Sequence, residues 1–267
     1  MNERMESTLS FSYLRRFNLI MGCLHFAQAG IMLALALFIP ELRDFTLPIT
    51  TSYLYFNEMA IPPRLEPNYT QIASLHIGPI IPIFLFLSAI AHFLIVLPGL
   101  NDRYNENLKK GINYFRWFEY ALSSSLMIVI IAMFFGVYDL SSLILIFAIN
   151  AVMNLLGLMM EIHNQTTEKV KWTAFNIGVF AGIIPWLIIV LYLIGNGNFA
   201  EVPWFVWAIL GSYFFFFNTF PINMILQYKK VGKWKDYLYG ERGYILLSLL
   251  SKTLLAWFVF AGLLQPV

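Results

Sequence analysis

Seven stretches of this chain are apolar for about 20 residues or more, the length of helix that crosses the hydrocarbon core of a bilayer. They run at about 17–39, 73–98, 112–137, 141–162, 173–194, 203–227 and 243–264. The pattern predicts an all-α membrane protein with seven transmembrane helices. Composition agrees, with 59% apolar and 12% charged residues, where a soluble domain carries about 25% charge. A polytopic membrane protein is the class that fits. The first run has no small-residue cleavage site at its end, so it reads as a helix that stays rather than a signal peptide.

Other classes fall away. The net charge is only +2, and no basic face is interleaved with aromatics, so nucleic acid is not a partner. The single cysteine, Cys23, rules out an internal disulfide, and no Cys/His spacing suits a metal. No internal repeat points to an inverted-repeat transporter. The expectation is one seven-helix domain over 1–267.

Between the runs lie short polar segments and one long one, 40–72. Pro40, Pro48, Pro62, Pro63 and Pro67 bar a helix through most of it. Its stretch Phe45 to Phe56 is rich in β-branched and aromatic residues, which predicts a small β-hairpin outside the membrane. Asn68-Tyr-Thr70 fits a glycosylation sequon, a short motif common by chance.

Lysine and arginine set the orientation. Arg4, Arg15 and Arg16, then Arg103, Lys109 and Lys110, then Lys169 and Lys171, then Lys229, Lys230, Lys233, Lys235 and Arg242 all fall on one side. The other side has Arg43 and Arg64. The positive-inside rule puts the N-terminus in the cytoplasm and the C-terminus outside. The long segment is then the first extracellular loop.

Lys252 is the one charge in the apolar run from Tyr244 to Gly262. An ionisable group at that depth marks a functional site by default. A buried lysine can act as a nucleophile and form a Schiff base with a carbonyl compound. The plainer alternative, a lysine that snorkels to the surface, suits a position nearer a helix end. Three other ionisable residues share its level. Glu119 in the third run, His25 in the first and His92 in the second all lie, like Lys252, roughly 10–14 Å from the cytoplasmic ends at 1.5 Å per residue. A carboxylate near a buried cation stabilises both charges. Ser123 is one turn from Glu119 and Ser248 one turn from Lys252, each on the same face as its charge. Their hydroxyls can hold water or donate to the carboxylate, although serines in membrane helices also serve close packing. Arg116 either pairs with Glu119 or snorkels to the cytoplasmic interface, and snorkelling is the expectation. Glu161 and His163 are expected at that interface too, and His76 lies at the outer end of the second run. The outer halves of the runs hold no Asp or Glu, so the acid relay of a proton pump is missing.

A lysine in the middle of the seventh helix with a carboxylate in the third resembles the microbial rhodopsins, and the details resemble the heliorhodopsins. The motifs are Arg116-Trp-Phe-Glu119-Tyr-Ala-Leu-Ser123-Ser-Ser-Leu-Met127 and Ser248-x-x-x-Lys252-x-x-Leu-Ala-Trp257-x-Val-Phe-Ala-Gly262. Asn223-Met-x-Leu-Gln-Tyr228 and Trp234-x-Asp-Tyr-x-Tyr-Gly-Glu241 also fit. The resemblance covers the whole chain, and the inverted topology agrees with it.

It implies all-trans retinal on Lys252 as a Schiff base, with Glu119 as counter-ion. A cavity lined by His25 and His92, with Ser248 close by, is implied beside it. Tyr120, Ser124 and Met127 follow Glu119 at spacings that face a polyene, and Tyr213 and Phe217 are candidates for the retinal ring. A homodimer in the cell membrane is implied, with the hairpin at its interface, and light sensing through an unidentified cytoplasmic signalling partner rather than ion transport. Light-driven or light-gated ion transport is the alternative. A membrane enzyme or solute transporter that uses Lys252 without retinal is a further one. Gly178-x-x-x-Gly182 has the small-residue spacing that lets helices approach, either within the bundle or across a dimer.

Overall fold

The computed structural model describes residues 9–265 except 196, 198, 200 and 201, so Arg4 lies outside the described residues. In chain order the elements are α1 (Phe11–Phe38), α2 (Pro40–Arg43), β1 (Thr46–Asn57), β2 (Arg64–His76), α3 (Ile77–Val96), α4 (Leu100–Lys109), α5 (Tyr114–Phe134), α6 (Leu140–His163), α7 (Thr173–Gly195), α8 (Trp204–Tyr228) and α9 (Tyr237–Leu263). Seven of these, α1, α3, α5, α6, α7, α8 and α9, are long and apolar enough to cross a membrane. The chain is a multi-pass membrane protein. Helices suit that setting because they satisfy every backbone group internally.

Polar side chains start several of the spans. Ser10 accepts from the Tyr13 amide at 3.1 Å, Asn113 from Arg116 at 3.1 Å, Asp139 from Ser142 at 2.9 Å and Asp236 from Leu238 at 2.9 Å. Each meets an amide that the first helical turn leaves open. Asp236 moves the start of the last span back from about 243 to Tyr237. That places Glu241 inside the helix, not in the loop before it.

The bundle runs α1 on α3, α3 on α5, α5 on α6, α6 on α7 and α8 on α9, with α9 also meeting α1 and α3. Its half nearer the hairpin is a continuous apolar core that includes Ile81, Leu85, Ile128, Ile131, Leu255 and Val259. The other half is where the buried ionisable residues collect.

The hairpin is longer than the sequence suggests. β1 and β2 pair antiparallel from Thr46↔His76 to Asn57↔Arg64, with a register shift at Ile49/Thr50. The second span therefore begins at Ile77, since 73–76 are strand. The Thr50 amide donates to the Tyr138 carbonyl at 2.8 Å, which anchors the hairpin to the turn between α5 and α6. Beyond that anchor Tyr53, Leu54, Phe56, Leu65 and Tyr69 are exposed.

Candidate functional site

Lys252 on α9 and Glu119 on α5 meet in the interior. Nζ donates to Glu119 Oε1 at 2.6 Å, and the two side chains are 3% and 8% exposed. Nζ also donates to Ser248 Oγ at 3.0 Å and to Ser88 Oγ at 2.6 Å. Ser88, on α3, is 2.7 Å from the same Glu119 oxygen and 3.1 Å from the Phe84 carbonyl. Tyr120 presents its ring 5.3 Å from Nζ. An ammonium and a carboxylate removed from water are held only when hydrogen bonds complete the pair, and here two hydroxyls from two helices do so.

Ser248 stands where the sequence puts it. Ser123 is fully buried one turn beyond Glu119, but Ser88 is the hydroxyl placed between lysine and carboxylate. Sequence reasoning missed Ser88. The signal was its place one turn before His92 on the same face.

The two histidines also come together. The His25 and His92 rings stack at 5.6 Å with 14° between planes, and both are buried. His92 Nδ1 lies 2.7 Å from Asn18 Oδ1. Neither ring nitrogen of His25 has a hydrogen-bond partner among the described residues.

On the far side of Lys252 a cavity of about 620 Å³ runs between the helices, lined by Tyr120, Ser124, Met127, Trp186, Tyr213 and Phe217 among others. All five pocket residues expected from the sequence line it. It reaches outward between α7 and α8 as far as the half-exposed Ile183 and Phe214. Glycines along its wall let neighbouring side chains pack against the helix backbone. A Cβ on Gly157 would stand 2.3 Å from the Trp117 ring, and one on Gly182 would stand 2.6 Å from Met153 Sδ. Gly178 lies against Leu156 and Met153 of α6, so the Gly178–Gly182 pair serves a contact inside the bundle.

Two expectations are corrected. Arg116 does not snorkel, and Glu161 is not interfacial. Arg116 is 5% exposed and Glu161 is fully buried. The Arg116 guanidinium bridges Glu161 on α6 and Glu241 on α9 and lies over the Tyr244 ring at 4.0 Å. Glu161 further accepts from the Asn113 amide at 2.9 Å, Trp117 Nε1 at 2.7 Å and the Tyr237 hydroxyl at 3.0 Å. Glu241 accepts from the Tyr104 hydroxyl at 3.1 Å and from Asn113 Nδ2 at 2.7 Å. Snorkelling needs an open path to water, and here α4 and the start of α9 close it.

A membrane bundle of seven helices, with a buried lysine–carboxylate pair at the end of a ligand-sized apolar cavity, defines a rhodopsin-like protein. The chain belongs to the heliorhodopsin family, whose model matches residues 14–264. A search of curated proteins gives no match. Membership implies a retinal chromophore, and the residues fit one. The cavity is apolar and aromatic, its size falls within the range of small-ligand pockets, and it ends on Lys252.

Proposed function

We propose that this protein is a light sensor that holds all-trans retinal on Lys252, keeps Glu119 as its counter-ion and moves no net charge across the membrane. The observation that carries this reading is the buried 2.6 Å contact between Lys252 Nζ and Glu119 at the end of the apolar cavity. Bound to Nζ through a Schiff base, retinal supplies absorption of visible light and a change of shape.

The chain's own residues do the rest. Glu119 balances the positive charge at Nζ, and Ser88 and Ser248 keep oxygens against the same atom. Tyr120, Ser124, Met127, Tyr213 and Phe217 wall the cavity and exclude water. His25 and His92 are holders for a proton displaced from Nζ, because imidazole exchanges protons near neutral pH. Ser123 supports Glu119 from the next turn. The proton returns from the side it left, since the hairpin-side core is packed with apolar side chains and holds no acid among the described residues.

The rest of the reading follows the charge pattern and the surface. The single seven-helix domain has its N-terminus in the cytoplasm and its C-terminus outside. The exposed apolar residues of the hairpin support a homodimer. A cytoplasmic signalling partner would receive the output, while the basic loop Lys229–Lys235 answers first to the topology rule.

Adding all-trans retinal to the expressed apoprotein tests the reading. A visible absorption band is expected, and Lys252→Ala should lack it. No band in the wild type, or an unchanged band in Lys252→Ala, rejects a retinal protein. A sustained light-driven current across liposomes rejects the absence of transport.

A further inference from the structure

The Arg116 cluster takes no part in the mechanism above, yet two features join it to the Lys252 level. The first is a cavity of about 30 Å³, roomy enough to hold water. His92, Glu119 and Ser248 line one part of it, and Asn113, Arg116 and Glu241 line another. The second is a pair of buried polar contacts beside it, one at each end. His92 Nδ1 meets Asn18 Oδ1 at 2.7 Å, the Asn18 amide donates to the Leu14 carbonyl at 2.9 Å, and the Tyr104 hydroxyl donates to Glu241 Oε1 at 3.1 Å. None of these residues is more than 8% exposed.

The charge count at the cluster is uneven. Two carboxylates share one guanidinium, so with both ionised an excess negative charge sits away from water, which is costly. One added proton removes it. Glu241 is the carboxylate placed to take it. Glu161 accepts from Arg116, Trp117, Tyr237 and the Asn113 amide and does not line the small cavity. Glu241 lines the cavity. The groups facing Glu241 are Arg116 and Asn113 from α5 and its cap and Tyr104 from α4. Glu161 and Tyr237 stand behind the guanidinium.

We propose that Glu241 takes up the proton that leaves the Lys252 level and later returns it by the same route, through water in the small cavity that His92, Glu119 and Glu241 line together. This rests on the light-sensor reading. One N–H bond breaks at Nζ and one O–H bond forms at a Glu241 oxygen. The Lys252 level loses a positive charge and the cluster loses a negative one, so the total is unchanged. Neutral Glu241 holds Arg116 less tightly, while Glu161 keeps it. The contact between α5 and α9 then loosens on the face that bears the N-terminus, and local chemistry becomes a change of shape.

Infrared spectroscopy tests this on two preparations. In the retinal-free protein, a pH titration is expected to show a protonated-carboxyl band that is lost in Glu241→Gln and moved in frequency by Tyr104→Phe, which removes the phenol that donates to that carboxylate. In the retinal-loaded protein, a flash should raise the same band transiently in the wild type and in Glu161→Gln but not in Glu241→Gln. A flash-induced band that survives Glu241→Gln, or no carboxyl band at all, overturns the proposal. If Glu241→Gln does not fold, Tyr104→Phe decides, because a flash-induced band that it leaves unmoved does not belong to Glu241. A wild type that forms no pigment rejects the light-sensor reading instead, and the titration of the retinal-free protein still stands on its own.

Discussion

Arg116 shows how far a single side chain's role depends on partners that are distant in sequence. It bridges two acids from two other helices. Removing one partner of such a group leaves a buried charge uncompensated, which costs about 3–5 kcal/mol. Arg116→Gln should therefore unfold at a clearly lower temperature than the wild type, measured by thermal denaturation in detergent. Arg116→Lys should recover little, because one ammonium lacks the planar fork that reaches both carboxylates. A wild-type melting temperature in either variant would show that the bridge contributes nothing. Glu119 makes a different prediction. Glu119→Gln removes the negative partner of the charge at Nζ, so whatever pigment stays protonated should absorb further to the red. A blue-shifted, still protonated pigment would contradict the counter-ion assignment. Lys252 and Glu119 were legible in the sequence because each is a lone charge deep in an apolar run. Arg116, Glu161 and Glu241 were not, because each lies close enough to the end of its run to pass for an interfacial residue. Ser88 was hidden because hydroxyls are common in membrane helices, and nothing along its own helix tells which charge it will meet.

At the scale of elements, the seven spans were legible and their ends were not. Helix ends are fixed by caps, and Asp236 extends α9 back through Tyr237–Arg242, a polar stretch that hydropathy assigns to a loop. The hairpin was legible as a hairpin, but its length follows from pairing, which carries β2 through Pro67 and on to the first residue of α3. Its tip carries a pH dependence. The Asn57 amide, and next Arg64, donate to Glu66 and hold its carboxyl below the usual carboxylate range. Proton binding is thus weaker in the folded hairpin than in the unfolded one, so these contacts stabilise the tip above the ordinary carboxylate pKa and are lost as the pH falls through the lowered one. Lower amide protection at 64–66, with each rate referred to the intrinsic exchange rate at that pH, is expected on moving from about pH 7 to below about pH 4, and Glu66→Gln should abolish the difference. The pair lies at the surface, with Arg64 exposed and Glu66 half-buried, so the effect should stay local and weaken with added salt. Unchanged protection across that range would mean that Glu66 does not hold the tip.

Over the whole molecule two asymmetries point the same way. Polar and ionisable side chains gather in the half that bears the N-terminus, and the core of the hairpin-side half is apolar. Lysine and arginine crowd the loops on that same N-terminal face. On the proposed reading, a proton displaced from Nζ would find polar partners toward His92, Asn18, Tyr104 and Glu241, while on the hairpin side it would meet Ile128, Leu255 and Val259. Which face lies in the cytoplasm then decides where any output emerges. The positive-inside rule leads us to expect the N-terminus there, and with it the contact between Arg116 and Glu241. An N-terminal tag should bind antibody only after cells are permeabilised, and a C-terminal tag should bind on intact cells. The reverse pattern would turn the polar half outward and send any signal from Glu241 to the cell exterior, so this labelling fixes the side on which a partner must be sought.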